Sequence, residues 1–247
     1  MKHLVVLTVV LSMVGLGLAL HLIPNVSAGA AQNQGNGFTI IDPNTVAYGS
    51  TYGQYAAAWW QWAFSIPTAI HPLFDRGDCS TGQSGPVWFL GQTFVPNTAA
   101  VRNCNVPAGK ALFLPIGNAE DSVIEESNSD GCSDPTFDGS IVGVSRCAES
   151  FINGAKPSVE IDQVPIQIGK KFRVLSSAYS FTLPADNVFQ AVIPAHSYPA
   201  GTYFPSVADG YYILVAPLSP GPHLIHIHVV GAFGGIFDTT YHLVVAQ

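Results

Sequence analysis

From Val87 onward the chain is a succession of short runs: VWFLGQTFV, KALFLPI, SVEIDQVPIQI, KFRVLSSAYSFTL, YYILVAPL, HLIHIHVV and IFDTTYHLVV. Each is rich in β-branched or aromatic residues and is bounded by Gly, Pro, Asn or Asp, the pattern of strands joined by turns. No helical segments alternate with these runs, which disfavours a parallel βαβ fold. No repeat of roughly 20–50 residues is visible, which argues against a propeller or solenoid. The expected fold is therefore all-β, an antiparallel β-sandwich or jelly roll with one or two short flanking helices. One helix precedes the strands. Tyr52, Tyr55, Trp59 and Trp62 recur at spacings of 3, 4 and 3, Ser50 or Thr51 can cap the start, and Pro67 ends the segment. A second is expected near Val144–Ile152.

Lys2 and His3 stand ahead of an apolar stretch from Leu4, and Pro24 and the small residues Ser27–Ala31 close it. That is the pattern of a secretory signal, so residues 1–30 are expected to be a cleaved leader, with no membrane association afterwards. Residues 31–48 are expected to be a flexible lead-in and 49–247 a single β-sandwich domain. Cys79, Cys104, Cys132 and Cys147 then read as two disulfides in an extracytoplasmic, secreted protein. Three pairings are possible; Cys79–Cys104 with Cys132–Cys147 is favoured because each closes a local loop. Lys and Arg number 9 against 16 Asp and Glu, which excludes a nucleic-acid partner, since neutralising phosphates needs a basic surface.

The C-terminal hairpin carries the most informative constellation. With GAFGG (Gly231–Gly235) as the turn, one face presents Ile225, Ile227 and Val229 with Thr239, Tyr241 and Leu243, a good core face. The other presents His226, His228, Asp238 and His242 at roughly 5–8 Å between Cβ atoms. Imidazoles and a carboxylate so placed have the spacing to close on Zn(II), Cu(II) or Fe(II), and the alternatives are structural or surface histidines that hydrogen-bond their neighbours and acid–base catalysis without a metal. His223, at the strand end, reads as structural. Trp59, Trp60 and Trp62 are expected to bind ligand if exposed and to be core if buried; Trp60 lies off the stripe and is the likelier exposed ring.

Seven of the sixteen acids lie between Glu120 and Asp138 with no Lys or Arg among them. The expectation is a solvated loop pinned at Cys132, with Ca(II) as the alternative occupant. Glu120/Asp121 and Asp75/Asp78 are adjacent carboxylate pairs, but such local pairs usually sit in solvent, and neither is taken as a site. GQSGP (Gly82–Pro86) is not a nucleophile elbow, and Walker A, dinucleotide and HExxH motifs are absent from the sequence.

The ordered segments WWQWAFSIP, GQSGPVWFLGQTF, CNVPAGKALFLPIGNAE, FTLPADN, VADGYYILVAPLSPGPHLIHI and FDTTYHLVV resemble a family of exported bacterial and archaeal proteins with no assigned activity. The resemblance runs from Tyr52 to Val245, with a longer acidic Cys132–Cys147 region here. It implies export and brings no catalytic residue. The expected function is binding of an extracellular ligand, a carbohydrate or cell-envelope polymer, with a divalent metal (Zn, Cu or Ca) as the cofactor these donors could hold. The alternatives are a metal-dependent enzyme built on the hairpin histidines and a structural surface protein.

Overall fold

A computed structural model describes residues 32–33, 37–127 and 139–247. The expected leader, and Cys132 with Asp130, Asp134 and Asp138, lie outside the described residues.

The elements run β1 (Gln32–Asn33), β2 (Thr39–Ile40), α1 (Tyr52–Ser65), β3 (Val87–Phe89), β4 (Thr98–Val106), β5 (Ala111–Ser122), α2 (Val123–Ser127) and α3 (Ile141–Ile152). Then follow β6 (Lys156–Ile161), β7 (Val164–Ile166), β8 (Arg173–Leu175), β9 (Tyr179–Leu183), α4 (Val188–Val192), β10 (Gly201–Val215), β11 (Gly221–Val230) and β12 (Ile236–Val245). Among the described residues they form two open sheets. One has the order β1-β2-β10-β5-β3, with β8 and β9 also pairing to β10; the other has the order β4-β12-β11-β6-β7.

This corrects the expectation of an all-β antiparallel sandwich: the fold is mixed α/β, with four α-helices accompanying the sheets among the described residues. The pairing is mixed as well. β3 runs parallel to β5, and β4 runs parallel to β12 along its whole length. Two of the helices are only five residues long, too short to leave a periodic apolar pattern in the sequence.

Helix α1 forms where the sequence places it. Thr51 Oγ1 accepts from Gln54 N–H at 3.3 Å and Gln54 Oε1 accepts from Thr51 N–H at 2.8 Å, a complete capping box. Its aromatic stripe is core. Tyr52 and Tyr55 pack on Phe113 of β5, and Trp59 Nε1 donates to Leu90 O at 2.7 Å. Trp59, Trp60 and Trp62 are only 2%, 8% and 7% exposed, so Trp60 is not the free ring its off-stripe position suggested. Helix α3, capped by Ser140, buries Val144, Cys147, Ala148 and Ile152 and lies on β10 and β5.

Part of the expected lead-in is packed structure. Phe38 and Ile40 are buried, and Ile40 pairs with Val215 of β10. Cys79 and Cys104 form a disulfide, and Cys147 is also disulfide-bonded. No helix among the described residues is long and apolar enough to cross a membrane.

Candidate functional site in a cleft along strand β5

The site originates in an irregularity of β5. The β10–β5 ladder shifts register between Tyr211 and Tyr212, opposite Gly117 and Pro115, so Ile116 is skipped. A bulge of this kind reverses the strict alternation of side chains. Phe113 before it and Asn118, Glu120 and Ser122 after it therefore share one face, while Gly117, Ala119 and Asp121 take the other. Gly210 makes the close approach possible, because a Cβ there would lie 2.7 Å from Asn118 Cα. β3 covers the second edge of β5 only as far as Phe113.

Beyond that point a cleft of about 550 Å³ opens along Gly117–Glu120. Trp59 and Trp60 of α1 and Phe94 line one side; Phe151 of α3 and Val229, Phe233 and Phe237 of the β11–β12 hairpin line the other. Phe233, at the hairpin tip, is 79% exposed and packs edge-on against Phe151 at the mouth.

Two carboxyls open onto this apolar wall. Ser206 Oγ donates to Glu120 Oε1 at 2.6 Å, and Ser122 Oγ donates to Glu125 Oε2 at 2.7 Å. Glu125 in turn shares its proton with Glu120. Burial is the main cause that raises both pKa values, Glu120 to about 8 and Glu125 well above the carboxylate range, where Glu120's charge adds to the effect. Near neutral pH the pair is therefore held in its protonated form. Behind it the Tyr179 phenol is pushed well up by burial and by Glu120.

The amide of Gln92 is the second polar feature of the wall. Its Oε1 accepts from Thr239 Oγ1 at 2.8 Å, which fixes the amide's orientation and leaves the buried Nε2 with no acceptor in the protein. Trp60 Nε1 and Asn118 Nδ2 lie near Tyr212 Oη without reaching hydrogen-bond geometry. Unsatisfied buried donors are costly and uncommon in native structures.

The opposite face of β5 carries a different cluster. One ligand atom from each of Asp121, Glu126 of α2 and Cys147 of α3 lies within 4.8 Å of the other two, a group that could coordinate a metal ion. Burial first, then the charges of Glu125 and Glu126, raise the Asp121 pKa to about 9. In the oxidised protein the Cys147 sulfur belongs to a disulfide and is no thiolate.

The hairpin register agrees with the sequence reading: His228 opposes Asp238, His226 opposes Thr240 and Leu224 opposes His242. His226 Nε2 lies 3.2 Å from Asp238 Oδ1 and His228 Nδ1 lies 2.9 Å from Asp238 Oδ2, so the two imidazoles clasp one carboxylate. Burial raises the Asp238 pKa, but hydrogen bonds from His228 and His226 and their charges outweigh it and hold the carboxyl low. His242 is exposed beside Leu224 and Asn103, outside the clasp. The four expected ligands are thus brought together as three, not four.

His223 has the outline of a triad, with Asp162 Oδ2 2.7 Å from Nδ1 and Ser219 Oγ 3.5 Å from Nε2. Its Nε2 contacts the Ser219 carbonyl oxygen at 2.8 Å instead, so the ring is engaged with acceptors and is not placed to activate the hydroxyl.

Of the two carboxylate pairs passed over in the sequence, Asp75 binds the buried Arg102 (2.7 Å) and Asp78 caps a turn at Ser80. Glu120 and Asp121 are buried rather than solvated, contrary to expectation, and belong to the two clusters described above. A sequence clue existed: they continue a strand, ALFLPIGNA, whose only polar residue is Asn118. No protein-family model, curated protein or solved structure matches the chain.

Proposed function

We propose that the chain binds a small ligand with an apolar body and a hydrogen-bonding oxygen, held in the β5 cleft with the Glu120–Glu125 pair as its polar anchor. One observation carries this reading: two buried carboxyls, each accepting from a serine hydroxyl, open onto an otherwise aromatic and aliphatic wall. Stability alone would favour apolar side chains there, because buried ionisable groups are costly. Displaced pKa values in a concave apolar site are a mark of binding and catalytic centres.

The chemistry selects the ligand. Burial raises the pKa of both Glu120 and Glu125, so near neutral pH the pair keeps a proton that it can donate into the cleft. Gln92 Nε2 adds a second donor. A carbonyl, ether or hydroxyl oxygen satisfies both; an ammonium group meets a neutral pair and gains little. The cleft suits one small molecule or the end of a sugar chain better than a flat polymer surface, which would need exposed rings. A neutral acid in such a site also has the character of a general acid, which makes proton transfer to a bound ligand the second reading.

Tryptophan fluorescence titrated with acetophenone and with ethylbenzene tests the anchor. The ketone is expected to bind at least tenfold more tightly, with Glu120→Leu and Gln92→Leu removing most of the difference. Equal affinity for ketone and hydrocarbon in the wild-type protein would overturn the reading.

A further inference from the structure

We propose that the tip of the β11–β12 hairpin is a docking surface for a zwitterionic lipid bilayer, which Phe233 enters and onto which the β5 cleft opens. Phe233 is 79% exposed at the end of the 231–235 turn and packs edge-on against Phe151 at the mouth of the cleft, 5.9 Å between ring centroids. The loop before β4 lies beside it: Asn97 N–H donates to Ile236 O at 2.6 Å, and Pro96 flanks Gly235. That juxtaposition brings Val95 and Ile236, 43% and 42% exposed, to the same rim. Val95 and Phe233 are far apart in the chain and meet because β4 runs alongside β12.

Three features select a bilayer as the occupant. Residues 92–101, 151–155 and 229–237, the segments around the mouth, contain no charged residue, in a chain with a formal net charge of -7. An uncharged rim on an acidic protein fits a surface that carries no net charge. Second, Phe233, Ile236 and Val95 together present apolar surface on the order of 300 Å², well short of the roughly 800 Å² that each partner in a stable protein–protein interface buries. A second copy of the chain is therefore poorly held, whereas one ring on a narrow turn can sink into the headgroup boundary, where aromatic rings collect. Two N–H groups of the turn are already used, Gly231 donating to Gly235 O at 2.8 Å and Gly234 to Gly231 O at 3.0 Å, which lowers the cost of leaving water. The third feature rests on the ligand reading of the cleft: a molecule with an apolar body concentrates in lipid, and the mouth opens where it would be taken up.

An environment-sensitive fluorophore on Ala232→Cys, mixed with phosphatidylcholine vesicles, tests the proposal. The apolar stretch at the start of the full chain can hold the protein on a vesicle by itself, so the readout sits at the tip. The same label on Val244→Cys, at the far end of β12, is its control. The tip label is expected to shift to the blue and brighten at least twofold, equally in low and high salt, while the Val244→Cys label stays unchanged. Val95→Ser combined with Ile236→Ser, both outside the cleft wall, should weaken the vesicle affinity of the tip at least fivefold. No response at the tip, equal response at both labels, or undiminished affinity in the double variant would overturn the proposal. So would a tip response that appears without vesicles as protein concentration rises, which would assign the surface to a second copy. Acetophenone and ethylbenzene titrations of wild-type protein without vesicles keep the two readings apart. A silent tip with ketone preference intact overturns docking alone, and a responding tip without that preference upholds docking and overturns the cleft reading.

Discussion

Residue by residue, the neighbour opposite decides what a side chain does. His223 illustrates this, since one ring nitrogen faces Asp162 and the other faces a carbonyl that comes closer than the Ser219 hydroxyl. Replacing it with Ala removes hydrogen bonds to a carboxylate and a carbonyl that water can then reach, and is expected to cost about 0.5–1.5 kcal/mol in urea unfolding. Ser219→Ala, by contrast, should leave both stability and any activity unchanged, and a loss of activity there would revive the triad. The sequence showed His223 as structural and showed the His226, His228 and Asp238 face, because a hairpin's register follows from its own turn. It could not show that Glu120 and Glu125 converge. Ser206, which donates to Glu120, and the Trp59 and Trp60 that line the cleft are distant in the chain, and local spacing carries no information about them.

Elements were legible in proportion to how locally they are specified. α1 announced itself by its cap and its 3–4 spacing, and Thr51→Ala should cost about 1 kcal/mol in thermal or denaturant unfolding. α3 was expected near Val144–Ile152 and runs from Ile141 to Ile152. The bulge in β5 was not legible, because nothing in ALFLPIGNAEDS marks Ile116 as the skipped residue; the mismatch appears only against β10. Yet that bulge sends Glu120 to the cleft and Asp121 to the other face. Gly210 is its tightest point. Gly210→Ala should destabilise by about 1–3 kcal/mol through overlap with Asn118 backbone, and it should weaken ketone binding in the cleft along with it. Normal binding in a destabilised Gly210→Ala protein would mean the bulge does not set the cleft. The two parallel pairings, β3 with β5 and β4 with β12, explain why a strand-rich sequence was read as an antiparallel sandwich. Strand runs give position along the chain, not the direction of the partner.

For the whole molecule, the buried carboxyls make stability depend on pH in a direction opposite to that of a typical acid-sensitive protein. Glu120 and Asp121 have folded pKa values of about 8 and about 9, against ordinary values of 4.5 and 3.8, so the folded state binds protons that the unfolded chain has already released. Their contribution is fully present below the unfolded values and is lost as pH rises through the folded ones, at up to about 1.4 kcal/mol per pH unit for one group. Two groups act the other way at lower pH. His71, buried and held neutral with its pKa lowered to about 4, contributes stability that is lost as pH falls from 6.5 toward 4. Asp238, held low by its histidine clasp, loses its contribution in more acid solution still. Between pH 6.5 and 8 the carboxyls therefore act without opposition from either. Urea unfolding of oxidised, metal-free protein should show stability falling with pH across that window, and Glu120→Gln or Asp121→Asn should each flatten the slope. Stability that stays level or rises from pH 6.5 to 8 would mean these carboxyls are ionised in the folded protein. The cleft would then hold a negative charge, and its ligand would have to be a cation rather than a neutral oxygen compound.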